Sequence, residues 1–219
     1  SSPITVTGLT NGTSYTFNVW AINDYGYSAP SDASGSVTPN VLQRALFGGG
    51  YGYNTIDYVD ITSAGNATDF GDLLDTAGRL GAAASTTRAI WFGGGDPAGS
   101  NNVIQYVTIT STGNAVDFGD LLSNEEEMMP FSNNTRGLAA GDASASSTII
   151  QYVTIASTGN SADFGDMSPN TQRGAGTANS TRGLICGGIP FGAYTNQIQY
   201  VTISSLGNGT DFGDMTLVR

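Results

Sequence analysis

The sequence contains no histidine, no lysine and a single cysteine, and only 11% of its residues are charged. Without histidine there is no usual general base, no Ser/His or Cys/His nucleophile pair, and none of the commonest transition-metal ligand. All seven basic residues are Arg, and 18 acids leave a formal charge of −11. A phosphate backbone or an anionic bilayer is repelled by such a chain, which excludes nucleic-acid and membrane-surface roles. Cys186 stands alone, so no disulfide within the chain staples the fold, and its GLICGG setting reads as that of a small buried residue. No apolar run approaches the ~18 residues needed to span a bilayer, and the N-terminus lacks a charged-then-apolar leader pattern. The Glu/Lys/Leu texture of surface helices is missing too, so an all-β fold is expected.

What is abundant is glycine, 31 residues of it, and repetition. RALFGGG at Arg44, RAIWFGGG at Arg88, RGLAAG at Arg136 and RGLICGG at Arg182 open four copies of one unit over residues 41–219, with a period of about 47 residues. Each opening is followed by a β-branched and aromatic segment, from Ile56, Ile104, Ile150 and Ile198. Then come SAGNATDFGDL, STGNAVDFGDL, STGNSADFGDM and SLGNGTDFGDM, in which Gly-Asn supplies a tight turn before another short strand. A further strand is expected upstream of each opening Arg. Arg79 and Arg173 lie nine residues before Arg88 and Arg182, whereas Glu127 holds that place before Arg136 and is expected in a solvated insertion. Within IQYVTI, Ile104 and Tyr106 point to one side and Val107 and Ile109 to the other. A sheet apolar on both faces must be sandwiched between neighbours, as in a propeller.

A unit of this length with Arg, a glycine pair, a β-rich third strand and a short fourth resembles the kelch repeat of β-propellers. It departs from kelch in placing Phe70, Phe118, Phe164 and Phe212 where the last strand usually carries Trp. The array is more similar to the repeats of tailed-phage virion structural and tail-fibre proteins of the cyanophage type. Residues 1–40 resemble the C-terminal half of a fibronectin type III domain: GLTNGTSYTFNVWA matches its penultimate strand and SAPSDASGSVTP its last, with Asn11-Gly12 as the turn and Tyr15 at the place of the corner tyrosine. Such modules accompany such arrays in phage fibres. Half a sandwich leaves its inner face and edge open, so the chain reads as a fragment of a longer protein, with Arg219 as the upstream Arg of a fifth copy. Expected is an all-β chain: a partial fibronectin-like sandwich, then a kelch-like β-propeller of four visible repeats.

The DFGD motif imitates the magnesium-binding motif of protein kinases, but it occurs four times with no Lys and no catalytic-loop partner. Its aspartates, Asp69, Asp72, Asp117, Asp120, Asp163, Asp166, Asp211 and Asp214, are weak calcium candidates, since two carboxylates per copy fall short of six to eight oxygen ligands. The competing reading has one Asp of each copy pair with a repeat Arg and the other cap a turn. Arg44, Arg88, Arg136 and Arg182 form either an anion-binding ring or contacts between repeats. GGG at 48–50 and 93–95 lacks the Lys-Ser/Thr ending of a phosphate loop and is expected at close backbone approaches.

Sequence variation concentrates between the glycines and the third strand, in YGYNT, DPAGSNNV, DASASST and IPFGAYTNQ. Tyr51, Tyr53, Phe191 and Tyr194 suit stacking on sugar rings, with Asn54, Asn101, Asn102 and Asn196 bonding hydroxyls; filling a subunit contact suits them equally. The function expected from the resemblance is a non-enzymatic virion structural and adhesion protein, extracellular on a tail fibre or capsid fibre. Its expected partners are other virion proteins and a host-surface glycan or protein, with a homo-oligomeric assembly and no cofactor. A secreted bacterial surface adhesin, a carbohydrate-active propeller enzyme and an open solenoid stay as alternatives.

Overall fold

A computed structural model describes residues 6–10, 13–38, 43–96, 99–143, 147–190 and 192–218. It divides the chain into two compact units, Ser1–Gln43 and Arg44–Arg219. Both consist of strands and connecting turns, with no helix among the described residues. The Asn11-Gly12 turn and Arg219 lie outside those residues.

The N-terminal unit is a long hairpin whose tip is closed by β1 (Ile22–Asn23) and β2 (Gly26–Tyr27). Below the tip its two arms are joined through serines. The N–H groups of Ser28, Ser31 and Ser34 donate to the carbonyls of Ala21, Val19 and Phe17. Their hydroxyls accept the N–H groups of the same three residues at 3.0–3.1 Å. Every third residue of one arm thus faces every second residue of the other. Each step holds one surplus residue, and the serine oxygen takes the acceptor role that a regular ladder gives to a carbonyl. Tyr15 bridges to Val37, and its phenol oxygen accepts the Thr10 N–H at 3.0 Å, the geometry of a tyrosine corner. That hydrogen bond holds the phenol below its ordinary pKa. None of the described residues of this unit is buried, and Val19, Trp20, Ile22 and Val37 stand exposed, with no second sheet over them.

The repeat unit contains four antiparallel meanders. Sheet I has β3 (Arg44–Gly48), β4 (Thr55–Asp60) and β5 (Thr68–Asp72). Sheet II has β6 (Gly81–Ala84), β7 (Arg88–Phe92), a short β8 (Gly95–Asp96), β9 (Gly99–Thr108) and β10 (Val116–Glu125), in the order β10-β9-β7-β6 with β8 on β9. Sheet III runs through β11 (Met129–Ser132), β12 (Arg136–Ala140), β13 (Ile149–Thr154) and β14 (Ala162–Asp166). Sheet IV runs through β15 (Ala175–Ala178), β16 (Arg182–Cys186), β17 (Gln197–Thr202) and β18 (Thr210–Asp214). The upstream strand predicted from sequence is present in sheets II to IV; among the described residues sheet I lacks it.

The sharp turn before Arg88, Arg136 and Arg182 is set three residues earlier. Asn133 Oδ1 accepts the N–H groups of Thr135 and Arg136, Asn179 does the same for Thr181 and Arg182, and the Ser85 hydroxyl serves Thr87 and Arg88. Each core cluster lies between two consecutive sheets. Ile56, Phe70 and Leu73 of sheet I meet Trp91, Val107 and Ile109 of sheet II. Ile90, Phe92, Ile104 and Phe118 meet Ala139, Val153 and Ile155 of sheet III, and Leu138, Ile150 and Phe164 meet Ile185, Val201 and Ile203 of sheet IV. The two-faced strand inferred from IQYVTI is therefore correct: Ile104 packs forward and Val107 and Ile109 backward. The first strands β6, β11 and β15 lie side by side while the fourth strands diverge, so the sheets fan outward without closing on themselves.

Candidate functional site

Every repeat carries the same three-residue stack. The guanidinium of Arg44 lies 4.4 Å above the ring of Tyr58, and Arg88, Arg136 and Arg182 sit 4.4–4.7 Å above Tyr106, Tyr152 and Tyr200. Each Tyr in turn meets the edge or face of Phe70, Phe118, Phe164 or Phe212, with centroids 5.6–6.0 Å apart. The same guanidinium reaches forward: Arg44, Arg88 and Arg136 donate to the carbonyls of Ile109, Ile155 and Ile203 in the next sheet at 2.8–2.9 Å. The expectation that these Arg residues pair with a repeat Asp is thus corrected. A planar cation that stacks on an aromatic face and keeps edge donors free is suited to this double role, and a carboxylate is not needed.

The DFGD segment is a clasp for the following repeat. The Phe70 carbonyl accepts the Gly113 N–H at 2.7 Å, the Asp72 carbonyl accepts the Ala115 N–H at 2.7 Å, and the Asp72 N–H donates to Asn114 Oδ1 at 3.1 Å. The set recurs with Phe118, Asp120, Gly159, Asn160 and Ser161, and again with Phe164, Asp166, Gly207, Asn208 and Gly209. A Cβ on Gly71, Gly119 or Gly165 would lie 2.5 Å from the backbone of Gly113, Gly159 or Gly207, and φ there is 146–147°. Both constraints demand glycine. The first aspartate of the motif closes the bulge, Asp163 and Asp211 accepting the Gly165 and Gly213 N–H groups at 3.1 Å. The eight motif aspartates are exposed apart from half-buried Asp72. Among the described residues no group of three or more His, Cys, Asp or Glu is placed to hold a metal ion.

A third contact between repeats was not anticipated. Gln105, Gln151 and Gln199 are buried in the third strands, and their Oε1 atoms accept the N–H groups of Leu74, Leu122 and Ser168 at 2.7–3.0 Å. The signal was a polar residue on an otherwise apolar strand, which has to find a partner when buried. Around Gln151 the network extends to Glu125, which is 2% exposed. Gln151 Nε2 and the Ser123 hydroxyl donate to its two oxygens at 2.7 Å. Burial, with a smaller push from the Asp142 carboxylate, raises the Glu125 pKa against those two bonds.

At one end of the repeats, the loops after the second strands meet the linkers after the fourth. Gly50 donates to Ala77, Gly94 to Glu125 and Ile189 to Gln172, and Gly78 and Gly95 exchange a pair of bonds. The glycines permit this close approach: a Cβ on Gly93 would fall 2.2 Å from the Glu125 carbonyl, and one on Gly141 2.4 Å from that of Thr171. Arg79, Glu127 and Arg173 occupy equivalent places here, all at φ of 56–58°. Glu127 is not in a solvated insertion. It accepts from Arg173 Nε and lies 3.5 Å from Arg79 Nε, while Arg79 also reaches Glu126 at 2.8 Å. The single Arg-to-Glu exchange in the series makes an alternating ion chain across three repeats.

The variable loops flank this ion chain. Tyr51, Tyr53 and Tyr194 are 64–68% exposed. The Tyr51 backbone packs against Gly78, and Tyr194 is near enough to Arg173 to act on it electrostatically. Asn196 Nδ2 donates to the Met215 carbonyl, Asn101 Oδ1 accepts the Val103 N–H, and the Asn54 carbonyl accepts the Leu73 N–H. Asn102 is half-buried on β9, and Phe191 lies outside the described residues. Cys186 is half-buried, with its thiol pushed up by burial, so it is a weak nucleophile.

No family model matches this chain, and no curated protein matches it in sequence.

Proposed function

We propose that the chain is part of a kelch-like β-propeller, joined to a fibronectin-like module, that serves as a structural and adhesive element of a tailed-phage fibre. One observation carries this reading. Of the seven tyrosines in residues 44–219, four are held in the Arg–Tyr–Phe stacks, and the other three stand exposed on the variable loops. Arg44, Arg88 and Arg136, the DFGD backbone, and the Asn and Gln side chains that meet them are likewise engaged in joining one repeat to the next. On the variable loops the tyrosines stay free to meet another molecule, with Tyr51 against Gly78 and Tyr194 near Arg173. Aromatic faces next to paired charges suit the C–H face and hydroxyls of a sugar.

The fan of sheets supports the propeller reading, and the Tyr15–Thr10 bond supports the fibronectin-like one. The mechanism is weak contact multiplied over many copies on one virion, where linkage raises avidity without new contacts. Among the described residues no set for turnover stands out from the scaffold, and the reading is of a binding protein that is not an enzyme. Two experiments test it. Mass spectrometry of purified virions should find the chain's peptides. Bead-displayed protein should retain host-surface polysaccharide without shortening it; depolymerisation would favour a carbohydrate-active enzyme, and absence from virions a bacterial adhesin.

A further inference from the structure

In each of the three clasps the side-chain oxygen of an Asn is held by the N–H of an Asp in the preceding sheet. Only in the last copy does that Asn precede glycine: Asn208-Gly209 stands where the others have Asn66-Ala67, Asn114-Ala115 and Asn160-Ser161. A Cβ on Gly209 would fall 2.7 Å from Gln199 Oε1, an oxygen already fixed by the Ser168 N–H at 2.7 Å. Packing thus favours glycine at this place, and glycine changes the chemistry of its neighbour. With no Cβ to obstruct it, the backbone nitrogen that follows an Asn can reach the side-chain Cγ and close a five-membered ring.

We infer that Asn208 is a site of spontaneous deamidation, and that the clasp between sheets III and IV gates the reaction. The Gly209 nitrogen gives up its proton and attacks Asn208 Cγ. The new C–N bond displaces the side-chain nitrogen as ammonia and leaves a succinimide. Water then opens either ring carbonyl, to aspartate or to isoaspartate. Asp166 holds both reacting groups. Its carbonyl accepts the Gly209 N–H at 2.7 Å, and its N–H donates to Asn208 Oδ1 at 3.0 Å. Ring closure needs the first bond broken to free the nitrogen and the second broken to let the side-chain amide turn toward it. The Gly207 N–H, donating to the Phe164 carbonyl at 2.9 Å, anchors the same turn. Three hydrogen bonds of ordinary net strength hold the open fraction, and with it the rate, about a hundredfold below that of the free chain. Water is at hand, because Asn208 is exposed, as Asn114 and Asn160 are, and borders an open cleft of about 190 Å³ with Tyr200, Ser205 and Thr210. The reaction cannot be undone by reclosing. Isoaspartate inserts a methylene into the backbone ahead of Gly209, so Gly207 and Gly209 lose the spacing that fits the Phe164 and Asp166 carbonyls. The site is a one-way record of sheets III and IV coming apart.

The test incubates the purified chain at mildly alkaline pH, folded and in guanidinium chloride, and follows Asn208 by peptide mass and by the isoaspartate it yields. In denaturant Asn208 should convert ahead of Asn114 and Asn160. In the folded chain its rate should be lower by about a hundredfold or more. Gly165→Ala, whose Cβ would lie 2.5 Å from the Gly207 carbonyl, should raise the folded-state rate by roughly tenfold or more and leave the denatured rate unchanged. Sub-denaturing guanidinium asks the same of the parent chain, where the rate should climb before the far-ultraviolet spectrum changes. The isoaspartate form, separated by its added charge, should unfold at a lower denaturant concentration than the parent. Equal rates in folded and denatured chain, an Asn208 no faster than Asn160 in denaturant, a folded-state rate unmoved by both Gly165→Ala and sub-denaturing guanidinium, or an isoaspartate form as stable as the parent would each overturn the inference.

Discussion

Replacing Gly71 by alanine puts a methyl group 2.5 Å from the carbonyl of Gly113, inside the clasp between sheets I and II. Two costs arise, and a second glycine separates them. The first is conformational: φ is 147° at Gly71 and 132° at Gly213, a region costing a residue with a Cβ about 1–3 kcal/mol. The second belongs to Gly71 alone, because a Cβ at Gly213 meets nothing. Relieving the clash separates the chains that form the Gly113–Phe70, Ala115–Asp72 and Asp72–Asn114 hydrogen bonds. At about 1 kcal/mol each, their loss adds roughly 3 kcal/mol. Trp91, 3% exposed within this interface, reports on it by fluorescence during urea unfolding. Gly71→Ala should lower the stability read at Trp91 by about 3 kcal/mol more than Gly213→Ala does. Equal losses would refute the clasp as the reason for glycine in DFGD.

The other expectations concern charge and the stacks. Because the folded pKa of Glu125 is raised, its contribution to stability is largest in acid and is lost as pH rises from the ordinary glutamate value through the folded one. Glu125→Gln keeps an acceptor for Gln151 and turns an N–H toward Ser123, whose hydroxyl can rotate from donating to accepting, so it should flatten the change in urea midpoint between about pH 4 and pH 7 without loss of stability at neutral pH. Arg88→Lys removes the planar stack on Tyr106 and leaves a single-point donor toward Ile155; a loss of about 1–2 kcal/mol is expected, against a smaller loss for Arg182→Lys, which gives up its stack on Tyr200 but no such carbonyl bond. Glu127→Arg sets three cations side by side, but Arg79 and Arg173 are half-exposed, so the destabilisation should stay within about 1 kcal/mol and shrink with added salt.

The sheets were legible because their physics is local. Alternation in IQYVTI, the Gly-Asn turns and the period of repetition fix strand placement and demand a neighbour on each face. The partners were less legible, since a contact between repeats spans some 30 to 67 positions that no local rule connects. Arg44 looked like half of an ion pair; its stack on Tyr58 and its bond to Ile109 require knowing which sheet follows which. DFGD looked like a ligand set, although its backbone, rather than its carboxylates, makes the contact. Glu127 looked like an interruption, yet a change of sign between two arginines is the simplest way to join them, and only three-dimensional adjacency reveals it. Tyr51, Tyr53 and Tyr194 were picked for lying in variable segments, and they are exposed because nothing in the repeat packs over them.

The central claim is a division of labour, in which the repeating residues hold sheets together and the loop tyrosines meet the partner. A single paired measurement tests it: host-polysaccharide binding and urea midpoint for the Tyr51→Ala/Tyr53→Ala/Tyr194→Ala variant, both proteins displayed on the same multivalent bead. Retention should fall at least tenfold while the midpoint stays within about 0.5 kcal/mol of the parent, as exposed substitutions do. Undiminished retention, or a loss of binding that merely follows a loss of stability, would contradict the claim.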